Sequence, residues 1–231
     1  MAEPIHTGAM RDVGARRKPG RPATLGRPRA NGAPGTRERI LHAARHSFAE
    51  LGYEAATNKT LADGAGLTTG ALYHYFGSKL DLYAAVYDEV QTIVYARFDA
   101  TVAEAESFVA GVDAVLEVAH ELNLADPSLA RFLGAVRVDV RRTPELRRAI
   151  ARPATRRERF IHNLVEIGVR TGEISPDDRS RTEAMVLALL IGLVDAVSDS
   201  PITHRRAVDA MKALFGGQLV RAPGERRQAR L

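Results

Sequence analysis

An all-α fold is predicted by three features of this 231-residue chain. Apolar residues recur three and four positions apart in one segment after another, the spacing of a helix face. There is no succession of short alternating segments joined by tight turns, the pattern of a β-domain. Between the periodic segments stand the breaks expected of helix ends: Gly52, Gly66, Asp126-Pro127, Thr143-Pro144, Gly172, Ser175-Pro176 and Ser200-Pro201. With 45% hydrophobic residues, 6% aromatic and no Trp, the core is expected to be mostly Leu, Val, Ile and Ala.

Residues 1–35 are rich in Gly, Pro, Ala and Arg, lack periodicity, and read as a disordered basic arm. Seven basic residues there face only Glu3 and Asp12, and the tail 221–231 is also basic. The whole chain is only +5, so the stretch between the two ends is net acidic. Basic ends on a mildly acidic body point to a polyanion met through the ends. Gly-Arg-Pro occurs at Gly20-Arg21-Pro22 and again at Gly26-Arg27-Pro28, a pattern that resembles the AT-hook core. Two readings stay open. In one, Arg21 and Arg27 enter a narrow minor groove; in the other, the arm only adds attraction to phosphates.

Thr36 is the candidate cap of the first helix, whose stripe is Ile40, Leu41, Ala44, Phe48 and Leu51 and whose stop is Gly52. Thr57 can cap a second helix that runs to about Ala65, although Gly64 weakens it. Gly66 makes a turn, and Thr68 caps a third helix. This is the helix-turn-helix template: small residues at Ala62 and Gly66, apolar ones at Leu61, Ala65, Leu67, Leu72 and Tyr75. Ser78, with Asp81 three residues on, caps a long fourth helix carrying Leu82, Ala85, Val86, Val90, Ile93, Val94 and Phe98. Further helices are expected over Phe108–Leu124, Ser128–Arg141, Pro144–Thr171 (with Pro153 as a kink or split), Asp177–Ser198 and Thr203–Leu219. Ala184–Val194 is apolar on all sides and calls for burial all round, within one subunit or against a second.

In helix-turn-helix docking the N-terminus of the third helix enters the major groove. Thr68 and Thr69 supply short hydroxyls and methyls for base edges there, and Gly70 permits close backbone approach. Tyr73 and His74 lie one turn on, within reach of bases or the sugar-phosphate chain, whereas Leu72 and Phe76 read as core.

The run Leu72-Tyr73-His74-Tyr75-Phe76-Gly77-Ser78-Lys79 resembles the Leu-Tyr-x-Tyr-Phe-x-Ser-Lys signature of the tetracycline-repressor (TetR) family. The likeness covers residues 36–83, with Ala56 and Asn58 departing from the family's usual residues. It implies a three-helix DNA-binding domain over 36–83 and a larger helical ligand-binding and dimerisation domain over 84–220. It implies phosphate contacts from Tyr75 and Lys79, and contacts to the same strand from Thr57, Asn58 and Lys59. A homodimer through about 177–198 and 203–219 follows, bound to a palindromic operator in double-stranded DNA. So does repression relieved by a small, largely hydrophobic effector in the body, whose identity the sequence leaves open. Candidate effector contacts are Phe108, Leu116, His120, Asn123, Phe132, Val136, Phe160, Asn163 and Ile167.

Other functions find little support. Without Cys there is no disulfide, thiol nucleophile or Cys-ligated metal. His42 and His46 stand four apart without a third ligand, and Glu158, His162 and Glu166 read as a solvated stripe. No metal site or cofactor is expected, and no catalytic motif suggests an enzyme. No secretory h-region and no membrane-spanning run is present, so a cytoplasmic location is expected.

Overall fold

A computed structural model describes residues 35–195, 199–217 and 219. The arm, with Arg21 and Arg27, the tail 221–231 and residues 196–198 of the expected dimer helix lie outside the described residues. The described residues hold nine α-helices and one 3-10 turn. These are α1 (Thr36–Ala55), α2 (Asn58–Gly64), α3 (Thr69–Tyr75), α4 (Lys79–Val102), α5 (Phe108–Ala125), α6 (Pro127–Arg142), α7 (Pro144–Thr171), the 3-10 turn Pro176–Asp178, α8 (Arg179–Asp195) and α9 (Pro201–Phe215).

The caps follow the sequence closely, with one exception. Thr57, Thr68 and Ser78 accept hydrogen bonds from the backbone N–H of Thr60, Ala71 and Asp81, which fixes where α2, α3 and α4 begin. Thr36 does not cap α1. Gly35 takes a left-handed φ of 93° and its carbonyl accepts from Arg39 N–H, so the helix starts one residue earlier and Thr36 is buried in its first turn. Gly52 ends the regular part of α1 as expected, at φ 72°, with one further turn to Ala55. Gly66 makes the helix-turn-helix bend at φ 67°.

Ile40, Leu41, Ala44 and Phe48 of α1 form one core with Leu61, Ala62, Leu72 and the α3 C-cap Phe76, whereas Leu51, expected in the same stripe, is exposed. α4 leaves this head and continues into the body, burying Leu82, Val86, Val90, Val94 and Phe98 of its expected stripe, whereas Ala85 is half-buried and Ile93 is exposed. α7 runs unbroken through Pro153. Its buried neighbours on both sides hold it, which outweighs the lost backbone hydrogen bond. The helix expected from Asp177 starts as the 3-10 turn, because Pro176 and the Ser175 cap set a tighter first turn. α9 starts at Pro201, ahead of the expected Thr203, because Ser200 is its cap. α8 is not enclosed: of its described residues only Val186 and Leu193 are buried in the single chain.

Candidate nucleic-acid interface and body cavity

The first three helices leave most of the expected recognition residues accessible. Thr57, Asn58, Lys59, Thr68, Thr69, Gly70 and His74 are exposed, and Tyr73 and Tyr75 are half-buried. Leu72 and Phe76 are buried, as their core reading requires. The Thr57 and Thr68 oxygens are engaged in capping, which leaves Thr69 as the unengaged hydroxyl at the start of α3. A Cβ added at Gly70 would meet nothing within 4 Å, so the chain itself does not require glycine there.

Tyr73 donates its phenolic hydrogen to Asn58 Oδ1, tying α3 to the start of α2. Burial raises the phenol's pKa, so it remains a neutral donor at physiological pH. His74 packs edge-on against Tyr75, ring centroids 5.9 Å apart. Lys59 pairs with Asp63 at 2.6 Å on the exposed face of α2. The hydrogen bond it donates to Asp63 holds its ammonium above its ordinary pKa.

Lys79 is placed differently from the other candidates. Its ammonium donates to the carbonyls of Tyr53 at 2.8 Å, Ala56 at 3.2 Å and Glu54 at 3.4 Å, and lies 4.3 Å from the Tyr53 ring centroid. In the free protein it closes the C-terminus of α1, where carbonyls lack helical partners and the dipole favours a cation.

Two charged residues that the sequence reading passed over join head to body. Arg45 of α1 is 3% exposed. It donates to Ser128 Oγ at 2.8 Å, pairs with Asp126, and lies 3.7 Å from Glu89. Burial pushes the Asp126 carboxyl up, but hydrogen bonds from Ser128 and the charge of Arg45 outweigh it and hold it below the usual value. At the other end of α6, Asp139 accepts from the Tyr53 N–H and the Tyr83 hydroxyl, both at 2.9 Å. A Cβ at position 52 would stand 3.2 Å from this carboxylate, so Gly52 is needed for space as well as for φ. Burial and the carboxylate push the Tyr83 phenol far above its ordinary range. Thr143 adds a hydrogen bond to Glu54 at 3.1 Å. Phe48, Tyr53, Tyr83 and Phe132 fill the space between, with Phe48–Tyr83 and Tyr83–Phe132 centroids 4.8 Å and 5.3 Å apart. A signal for both charges was present. Arg45 interrupts the α1 stripe between Leu41 and Phe48, and Asp139 extends the α6 stripe of Leu129, Phe132 and Val136.

The body holds a cavity of about 150 Å³. α4 contributes Tyr87, Gln91, Val94, Tyr95 and Phe98, and α6 contributes Leu129, Ala130, Leu133, Val136 and Arg137. α8 adds an apolar wall from Leu187 to Val194, with Ala119, Leu122 and Asn123 of α5, Arg157 of α7 and His204 of α9 completing the lining. Of the nine residues picked from sequence, Asn123 and Val136 line it. His120 stands behind His204, their Nδ1 atoms 3.1 Å apart. Phe160 packs on Tyr95 and Phe98 at 5.5 Å and 5.3 Å, outside the lining. Phe132 belongs to the head–body cluster, Phe108 packs on Phe215 at 6.0 Å, Leu116 and Ile167 are core, and Asn163 is exposed. Half of the lining comes from α4 and α8, which carry none of the nine residues picked from sequence.

The family model described as bacterial regulatory proteins, tetR family, matches residues 40–86, from the α1 core to the first turns of α4. Over this stretch the chain is similar to the DNA-binding head of TetR-family regulators. It has the helix-turn-helix head and the larger helical domain of a TetR-like fold. Among proteins similar to this chain is the HTH-type transcriptional regulator UidR of Escherichia coli (strain K12), 26% identical over 186 residues, which are 80% of this chain and 93% of UidR. The HTH-type transcriptional repressor AcnR of Corynebacterium glutamicum is 45% identical over 51 residues, 22% of this chain and 27% of AcnR. The structure of AibR in complex with isovaleryl coenzyme A and operator DNA has the same fold. Its TM-score is 0.64 at 18% identity, over 78% of this chain and 97% of AibR.

Proposed function

We propose that this regulator is a homodimeric repressor that leaves a palindromic operator when a small, largely hydrophobic molecule occupies the body cavity. The observation that carries this reading is the double duty of α6. One face lines the cavity through Leu129, Leu133 and Val136. The same helix is clamped to the head at both ends, through Arg45 to Ser128 and Asp126, and through Asp139 to Tyr53 and Tyr83. A ligand that displaces α6 must therefore move α1 and the reading head with it.

In this reading Thr69, Gly70, Tyr73 and His74 meet the major groove, with Thr57, Asn58, Lys59, Thr68 and Tyr75 holding the flanking backbone. Lys79 acts chiefly through the α1 carbonyls it gathers. A second copy covers α8 and α9, whose Met185, Ile202 and Leu214 stand 41%, 67% and 47% exposed in one chain. The arm, with Arg21 and Arg27, adds phosphate attraction, and deleting 1–35 weakens operator binding and flattens its salt dependence. The protein acts by binding rather than turnover, and in the cytoplasm; no described helix is long and apolar enough to cross a membrane. AcnR is named a repressor, and the AibR structure holds a small molecule together with operator DNA, which accords with this reading.

The test is selection of bound sequences from a random DNA pool with the purified full chain, followed by binding to the full site and to one half-site. Two inverted half-sites, with the isolated half-site far weaker, are expected. Equal affinity for the two would refute the dimeric reading. For induction, operator DNA must weaken effector binding by the factor by which effector weakens operator binding.

A further inference from the structure

The cavity is mostly apolar, but its charged wall has one sign. Arg137 and Arg157 line it, and no carboxylate does. Arg137 is paired with Asp195 at 2.9 Å. Arg157 has no such partner among the described residues, and its Nε is shut off from solvent without a hydrogen bond. Gln91, which lines the same cavity, is 2% exposed, and its Oε1 is likewise buried without a donor. The two belong to one place. Tyr87, Gln91 and Tyr95 form a row four residues apart on α4, and the positive charge of Arg157 acts on the phenols on both sides of Gln91. Burial raises both phenols, so they remain neutral donors beside it. Buried polar groups are almost always hydrogen-bonded, and two orphans in one wall mark a missing partner. The volume sets its size: a cavity of about 150 Å³ is known to hold a single benzene ring.

We propose that the effector is a small organic carboxylate, one ring or a short branched chain in size, carrying a hydroxyl. Its carboxylate meets Arg157, its hydroxyl donates to Gln91 Oε1, and its hydrocarbon lies against Leu133, Leu190 and Val194. This rests on the reading of the cavity as the effector site and adds the chemistry of the occupant. An uncharged hydrocarbon would leave both orphans unmet, and a cation would face Arg157.

The experiment uses the full-length protein and a panel of mandelate, the hydroxyphenylacetates and 2-hydroxy-4-methylpentanoate, each beside its primary amide and its deoxy analogue. Binding is read by calorimetry, and operator release by fluorescence anisotropy on the selected site. At least one acid is expected to bind, with its amide 30-fold or more weaker. Arg157→Gln should erase that preference and Arg157→Lys should largely keep it, so a poorly folded Gln variant does not spoil the reading. Gln91→Leu should erase the preference for the hydroxy acid over its deoxy analogue while the acid still outbinds the amide. Amides that bind as tightly as acids would overturn the proposal. So would an acyl-coenzyme A that binds where the free acid does not, or failure of the whole panel beside a neutral effector found by unbiased thermal-shift screening. An acid that binds with these preferences but leaves operator affinity unchanged would sustain the ligand class and sink the induction reading instead.

Discussion

Gly70→Ala separates the protein's own needs from those of its DNA. Gly70 sits in the first turn of α3, and a Cβ there would touch nothing within 4 Å. Replacing glycine by alanine in a helix gains up to about 1 kcal/mol of stability, with the smaller part of that expected so near the N-terminus. The free protein should therefore unfold at the same or slightly higher denaturant concentration. If α3 docks by its N-terminus, the new methyl stands where a base edge or phosphate approaches, and the helix must back away. That costs the contacts made by Thr69 and its neighbours, about 1–3 kcal/mol, or roughly a 5- to 150-fold loss on the selected operator. Non-specific DNA, held at longer range by phosphates, should lose much less. The assay pairs urea denaturation with anisotropy titrations on operator and random duplexes at fixed salt. A variant that is as stable as wild type and binds the operator equally well would show that α3 does not approach DNA by this end.

Three further perturbations test other parts of the structure. Lys79→Ala removes the cation that gathers three carbonyls, so it should cost about 1.5–3 kcal/mol of stability as well as affinity for operator and random DNA alike; unaltered stability would return Lys79 to a plain phosphate contact. Asp139→Ala strands the Tyr53 N–H and the Tyr83 hydroxyl, so denaturation should show a loss of about 2–4 kcal/mol and operator affinity should respond less to effector; an unchanged response would take α6 out of the coupling path. The buried His204 is held below its ordinary pKa of 6.5 by burial, then by His120 and Arg205. Its neutral form is the folded one, so its contribution is present above pH 6.5 and lost as pH falls through that value. Thermal unfolding should become easier below pH 6.5, His204→Asn should flatten that dependence, and an equal slope in both proteins would exclude the pair as its source.

The head was legible because its information is local. Thr57, Thr68 and Ser78 each cap the helix that follows within three residues, Gly66 makes its turn alone, and the small and apolar positions stand at fixed offsets. Thr36 failed as a cap because its neighbour Gly35 competes for the same function and can adopt the left-handed φ. Lys79 was legible as a cation beside a helix start. That its ammonium turns back to carbonyls 23 to 26 residues earlier is a tertiary fact. The cavity was least legible for the same reason. Its lining comes from several helices, and only two of the nine residues chosen by type face it.

The row on α4 shows what kind of signal was overlooked and what it does. Tyr83, Tyr87, Gln91 and Tyr95 recur every four residues beside the aliphatic stripe, and a stripe of that kind reads as packing. All four are buried, but they serve two places. Tyr83 donates to Asp139 at the head, whereas Tyr87, Gln91 and Tyr95 line the cavity. Gln91 is eight residues from Tyr83, about 12 Å along one unbroken helix. α6 also joins the two places, with Val136 on the cavity and Asp139 on the head one turn later. A ligand between Gln91 and Val136 thus presses on two rods that meet at a single carboxylate. It can move the head only by the difference between its affinities for the two arrangements. In the proposed complex, the hydrogen bonds a ligand gives Gln91 Oε1 and Arg157 Nε contribute to that difference only where the other arrangement lacks them.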